Sequence, residues 1–134
     1  MTRIGLVVAE FNAAVTEEME EAALAAAADH DATVVETVRV PGSYDAPLAA
    51  DRLARRDDVE AVAVVGAIVT GDTDHDQVIA RAVAEGLTDV SLDRDVPVTF
   101  GVSGPGMSGA EARERVDKGA EAVSAAVEMV GTLP

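Results

Sequence analysis

Apolar and β-branched residues gather along the chain in four runs, Ile4–Ala9, Thr33–Val40, Val59–Val69 and Val96–Val102, with segments of helical character between them. Within each run Val, Ile and Ala follow one another almost without a polar break. That is the pattern of parallel strands covered on both faces, whereas half-exposed strands alternate. The first helix is expected to start near Thr16, with its hydroxyl as cap and Glu17 and Glu18 in the dipole-favoured first turn. It runs through Met19, Ala22, Ala23 and Ala26 and ends around Asp29-His30-Asp31. A short helix follows Pro47, whose fixed φ suits a first turn, and a third begins near Thr73. The last begins near Ser108, where Ser108 and Glu111 form the S-x-x-E capping box, and its apolar face is Ala112, Val116, Ala120, Val123 and Val127. This βαβαβαβα order predicts a parallel sheet with helices on both sides and right-handed crossovers. Ligands of such sheets bind at the carboxyl ends of the strands. The segments to inspect are therefore Glu10–Asn12, Pro41–Asp45, Thr70–Asp76 and Ser103–Ser108.

Composition excludes several classes. A length of 134 residues suits one domain over 1–134 with a single core, and no repeat or linker interrupts it. Hydrophobic residues make up 49% of the chain, too many for a disordered acidic tail. The absence of cysteine removes a disulfide scaffold, a thiolate nucleophile and a cysteine zinc site. The longest apolar stretch, Ala61–Val69, is far short of the roughly 20 residues that span a bilayer. Met1-Thr-Arg runs straight into a strand, so no signal peptide is expected and the chain reads as cytoplasmic.

Charge adds a different kind of information. Twenty-five acids against ten bases give −15, which argues against nucleic acid, whose binders neutralise phosphates with basic clusters. The acids are dispersed, and Lys118 is the only lysine. This composition suits a very salty cytoplasm, where the Debye length falls to roughly 3 Å at 1 M salt and self-repulsion is screened.

The candidate chemistry lies in the loops. Gly104-Pro-Gly106-Met-Ser-Gly109 satisfies G-x-G-x-x-G, but it follows the last strand, so no later strand can supply the acidic ribose ligand of a dinucleotide site. It reads as a turn into a helix. In Gly66–Asp76, Gly71 permits a tight turn and a helix begins at once, so the free N–H groups of its first turn could hold a phosphate. His75 lies in that turn, where an imidazole can pass protons near neutral pH. Asp74, His75 and Asp76 splay about 100° apart on a helix, which weighs against a metal site. The plainer alternative is a salt-adapted helix start with a surface histidine, and His30, at a helix end among acids, takes that reading. Arg115 suits bidentate phosphate binding or, more plainly, a surface ion pair with Glu111. Lys118 has the same plain reading.

Only three aromatic residues occur, Phe11, Tyr44 and Phe100, and all fall near the carboxyl ends of strands. Rings there could stack on a flat heterocycle, although Phe100 could equally fill a gap in the core.

Taken together, the segments resemble the lumazine synthase family, in particular its archaeal branch, over nearly the whole chain. The resemblance rests on Ala9–Asn12, Val40–Pro47, Gly66–Asp76, Pro97–Met107 and Ala112–Arg115, in order and at matching separations. It implies an α/β flavodoxin-like three-layer sandwich with a four-stranded parallel sheet. The implied reaction condenses 5-amino-6-(D-ribitylamino)uracil with 3,4-dihydroxy-2-butanone 4-phosphate and releases phosphate and water, with no metal or redox cofactor. By the same resemblance Phe11 stacks on the pyrimidinedione, and Ser43, Tyr44 and Asp45 hold the ribityl chain. Ala67, Ile68 and Val69 line the uracil edge, largely through backbone. Asp72 and Thr73 face the phosphate, and His75 is the proton donor. Phe100 and Arg115 would reach the site from a neighbouring subunit of a homopentamer, or of a decamer or 60-subunit shell built from pentamers.

The chain departs from many bacterial members at Thr70, where they have arginine, and at Asp76, where they have an aromatic residue. Asp117-Lys-Gly119 matches their Asn-Lys-Gly poorly, so Lys118 receives no phosphate role. Of two rivals, the paralogous archaeal riboflavin synthase is decided against because its loop lacks the Gly-x-Thr-x-His of Gly71–His75, and a non-catalytic carrier of flavin-like ligands is left.

Overall fold

β1 (Thr2–Ala9) and β3 (Ala61–Ala67) lie side by side at the centre of one parallel sheet, flanked by β2 (Ala32–Val40) and β4 (Val98–Ser103) in the order β2-β1-β3-β4. The computed structural model describes residues 1–134. Every residue of β3 and the last six of β1 are buried, so the near-continuous apolar reading holds for these two strands. It fails for β2. As an edge strand it exposes Thr33, Glu36 and Arg39, and neighbours on only one side leave it half-covered. β4 is the other edge and likewise starts half-exposed.

Two apolar layers sandwich the sheet. On one face Ile4, Leu6, Val65 and Ala63 meet α1 (Ala13–Asp29) and α5 (Lys118–Thr132). On the other Val7, Val62 and Val64 meet α2 (Ala46–Ala54) and α3 (His75–Arg94). The result is the α/β flavodoxin-like sandwich, and no helix is long and apolar enough to cross a membrane. Across the second face Arg94 of α3 hydrogen-bonds Asp51 of α2. That bond, helped by the charge of Arg55, holds the Asp51 carboxyl below its usual range.

The structure revises two helix boundaries. α1 starts at Ala13, and Thr16 is buried inside it instead of capping it. Asn12, at φ 66°, turns the chain, and its carbonyl accepts from the N–H groups of both Val15 and Thr16. An amide side chain tolerates this left-handed backbone better than most residues do. Glu17 and Glu18 therefore fall beyond the first turn. The final helix is two: α4 (Gly109–Arg113) and α5, joined by a turn over 114–117. There the N–H groups of Glu114, Arg115, Lys118 and Gly119 bond three residues back, a tighter winding that redirects the axis. The Ser108–Glu111 capping box is present at the start of α4, where the Ser108 N–H, followed by its side chain, holds the Glu111 carboxyl below its usual value.

The redirection presses α5 onto α1. A Cβ placed on Gly119 would stand 2.1 Å from the Met19 carbonyl oxygen, so two helix backbones meet there with no side chain between them. Replacing Gly119 with Ala must push the helices apart and is expected to destabilise the fold by about 1–3 kcal/mol or more. Gly131→Ala, with nothing within 4 Å of the added methyl, should be neutral or stabilising. Denaturant unfolding of both variants at one fixed, high KCl concentration checks the contrast.

Candidate active site

The carboxyl ends of the strands are tied together before any side chain offers chemistry. The N–H groups of Glu10 and Phe11 donate to the carbonyls of Val40 and Pro41, at 2.8 and 2.9 Å, joining the loop after β1 to the loop after β2. Those of Ile68 and Thr70 donate to Ser103 and Met107, at 2.9 and 2.8 Å, joining the loops after β3 and β4. The Asn12 amide bridges the two pairs by donating to the Ala67 carbonyl at 3.0 Å. Between these loops and the start of α3 opens a cavity of about 510 Å³, within the range usual for small-molecule sites.

Seven of the residues singled out above line this cavity: Phe11, Ser43, Tyr44, Ala67, Ile68, Val69 and His75. Phe11 and Tyr44 are 68% and 67% exposed, so both rings stand free at its edge instead of serving the core. Ala67 and Ile68 send their side chains into opposite core layers, and Val69 packs on the first. Ser43 is buried. A Cβ on Gly66 would lie 2.7 Å from the Ser43 hydroxyl, so Gly66 makes room for it under the loop after β2.

Five others lie off the cavity. Asp45 accepts from the Gly42 N–H at 3.1 Å and so closes the single helical turn Ser43–Asp45. Asp72 and Thr73 stand exposed on the loop before α3, and the Thr73 hydroxyl accepts from the His75 N–H at 3.2 Å. The N–H groups of Asp72 and Thr73 have no acceptor within the chain. Phe100 lies on the edge strand β4, opposite Val64 and 42% exposed. Arg115 touches the Met107 sulfur at 3.7 Å and pairs with Glu111 at 3.6 Å, both partners half-exposed. No lysine or arginine lines the cavity.

Sequence reasoning missed Asn12 and Asp76 as site residues. Asn12 lines the cavity and holds its frame, and its position in a turn beside an aromatic residue was the available signal. Asp76 also lines the cavity, only 6% exposed, whereas Asp72 and Asp74 beside it are exposed. An acidic run does not reveal which member turns inward.

Residues 1–133 match the family model described as 6,7-dimethyl-8-ribityllumazine synthase. A protein of that name from Halobacterium salinarum is 75% identical over 99% of this chain and 100% of its own length. One from Halorubrum lacusprofundi is 72% identical over 99% of both chains. A third, from Methanocaldococcus jannaschii, is 45% identical over 99% of this chain and 94% of its own.

Asn12 combines a left-handed backbone with a cross-loop hydrogen bond, and the two are separable. Asn12→Ala loses both and is expected to cost about 1–2 kcal/mol. Asn12→Gly keeps the backbone freedom and should cost less, with thermal unfolding at constant salt as the measure.

Proposed function

The chain belongs to the 6,7-dimethyl-8-ribityllumazine synthase family and is a transferase of riboflavin biosynthesis; from that premise we propose how its residues carry out the condensation. The observation that carries the reading is the placement of His75, at the first residue of α3, on the same cavity as Phe11 and the backbone of Ala67–Val69. Phe11 stacks on the pyrimidinedione, while Ala67, Ile68 and Val69 hold its polar edge mainly with main-chain groups. Ser43 and Tyr44 hold the ribityl chain, and Asp45 does so through the turn that it closes. Asp72 and Thr73 present free N–H groups at the positive end of the α3 dipole, a site for the phosphate of the four-carbon substrate.

In the reaction the primary amine of the pyrimidine attacks the ketone carbonyl, and loss of water leaves an imine. The phosphate departs, and the ribityl-bearing nitrogen closes the second ring with loss of another water. His75 supplies and recovers protons in these steps, for which an imidazole is suited near neutral pH. All of this is condensation and elimination, so the reading calls for no metal or redox cofactor.

No lysine or arginine lines the cavity to meet the phosphate, and the Arg115 guanidinium lies against the Met107 sulfur and Glu111. We therefore assign Arg115 and Phe100 to the site of a neighbouring subunit in a homopentamer or a multiple of one. The exposed apolar side chains Leu48, Val78 and Leu92, at 62%, 65% and 76%, support burial between subunits. A single domain over 1–134, working in the cytoplasm without nucleic-acid or membrane partners, completes the proposal.

Three outcomes are expected. Mixed with both substrates in high salt, the protein should raise lumazine absorbance and release phosphate above the uncatalysed background, and the absence of any such excess would remove the enzyme reading. His75→Ala should lower turnover by roughly tenfold or more while keeping affinity for the pyrimidine; a carrier protein would be indifferent to it. Salt gives the third outcome. Asp72 and Asp74 stand exposed beside the phosphate site, so screening should help it, and turnover is expected to rise with KCl into the molar range. Activity that falls there while the protein stays folded would count against that account.

A further inference from the structure

Asp76 is the only buried charged side chain of the molecule, and the chemistry above does not use it. It directly follows His75 in the first turn of α3. Its Oδ2 accepts from the Gly106 N–H at 3.0 Å and lies 3.5 Å from the Thr70 hydroxyl. No lysine, arginine or histidine pairs with it. A carboxylate withdrawn from water without a cation is costly unless fixed donors meet it. Here the donors are one backbone N–H and one hydroxyl, and the position at the positive end of α3 adds to them.

Three segments converge on this oxygen. Gly106, at φ +78°, turns its N–H toward it. Gly104, at φ +97°, presses the same loop onto β3's extension so closely that a Cβ there would stand 2.1 Å from the Ile68 carbonyl. Thr70 belongs to that extension and is bonded to Met107 through its backbone. On the other side, residues 71–75 are all exposed, and Asp74 makes no side-chain cap bond to α3. Ile79 and Ala80 pack the next turn of α3 onto the apolar layer, and Asp76 is the side chain beside His75 that hydrogen-bonds the start of the helix to the Gly104–Gly106 loop.

We propose that Asp76 is a positioning residue for the reaction: its carboxylate locks the first turn of α3, and with it the His75 imidazole, against the Gly104–Gly106 loop. The proposal rests on the reading of His75 as proton donor. Asp76 itself gives and takes no proton. Its effect lies in the geometry of its neighbour, where displacement by about 1 Å can cost a hundredfold in rate.

Steady-state kinetics at high KCl with both substrates, together with amide spectra of protein labelled with 15N-glycine, test this. Asp76→Ala should lower kcat on the order of tenfold to a hundredfold, leave KM for the pyrimidine nearly unchanged, and shift the Gly106 amide resonance. Asp76→Asn keeps a carbonyl acceptor for Gly106 and should restore both most of the rate and the resonance. If Asp76→Ala does not fold, Asp76→Ser, too short to reach Gly106, replaces it. A folded Ala or Ser variant with wild-type kcat overturns the proposal. So does a loss confined to KM, or an Asn variant that keeps the Gly106 bond yet is as slow as Ala. His75→Ala, run alongside, separates the two levels. If it loses nothing, the proton-donor reading fails and the positioning role with it; if it is slow while Asp76→Ala is not, positioning alone fails.

Discussion

A parallel strand buried on both faces has no place along its length for a polar side chain, and this constraint decides where the molecule can do chemistry. β1 and β3 meet it with little but Val, Ala, Leu, Ile and Gly, and their backbone groups enter the ladder. Function is displaced to the carboxyl ends, where the strands stop and the loops must find their own hydrogen-bond partners. They find them in one another. Backbone bonds join the loops in two pairs, the Asn12 amide links the pairs, and the cavity is the space that this lacing encloses.

The same economy governs packing. α1 and α5 come together at Gly119, and β4 approaches α5 at Gly101, where a Cβ would stand 2.6 Å from both Ala122 and the Val64 carbonyl. Helices carried this close are packed mostly with Ala and Val, with a few larger aliphatic side chains such as Met19 and Leu53 and no buried ring. The three aromatic residues are all at least 42% exposed, and a protein so poor in rings has left them where a ligand or a neighbouring chain can cover them. Its bases are similarly committed: Arg39, Arg56 and Arg94 each hold acids on the surface, away from the cavity.

How much of this was legible in the chain depended on the scale at which each feature is determined. Strand runs and their order are properties of long apolar segments, and the central strands, the sheet and the loop clusters could be read directly. The capping box at Ser108 is a local pair of complementary groups and was equally readable. The start of α1 was not, because Asn12 turns the chain for the sake of Ala67, a partner 55 positions away. The break between α4 and α5 was hidden for a similar reason. The apolar positions keep helical spacing across it, and the tighter turn shows only in the close approach of Gly119 to Met19 on a helix about a hundred positions earlier in the chain. Asp76 shows the limit most clearly. Among neighbouring aspartates it is set apart by a glycine N–H on another loop, and nothing in composition or spacing announces that bond.

The segment Ala67–Val69 spends its side chains on the core and lines the cavity, where the proposed function gives its main chain the contact with the ligand. A surface written in peptide groups is nearly indifferent to which side chains carry it. Substitutions at these positions are judged by how they pack, and those that pack well leave the recognition surface as it was. On the proposed function, ligand preference in this part of the site is buffered against drift: relatives can diverge in residue identity while presenting the same peptide groups. To change what is bound here, evolution would have to alter the path of the backbone, by inserting or deleting residues, rather than exchange one amino acid for another.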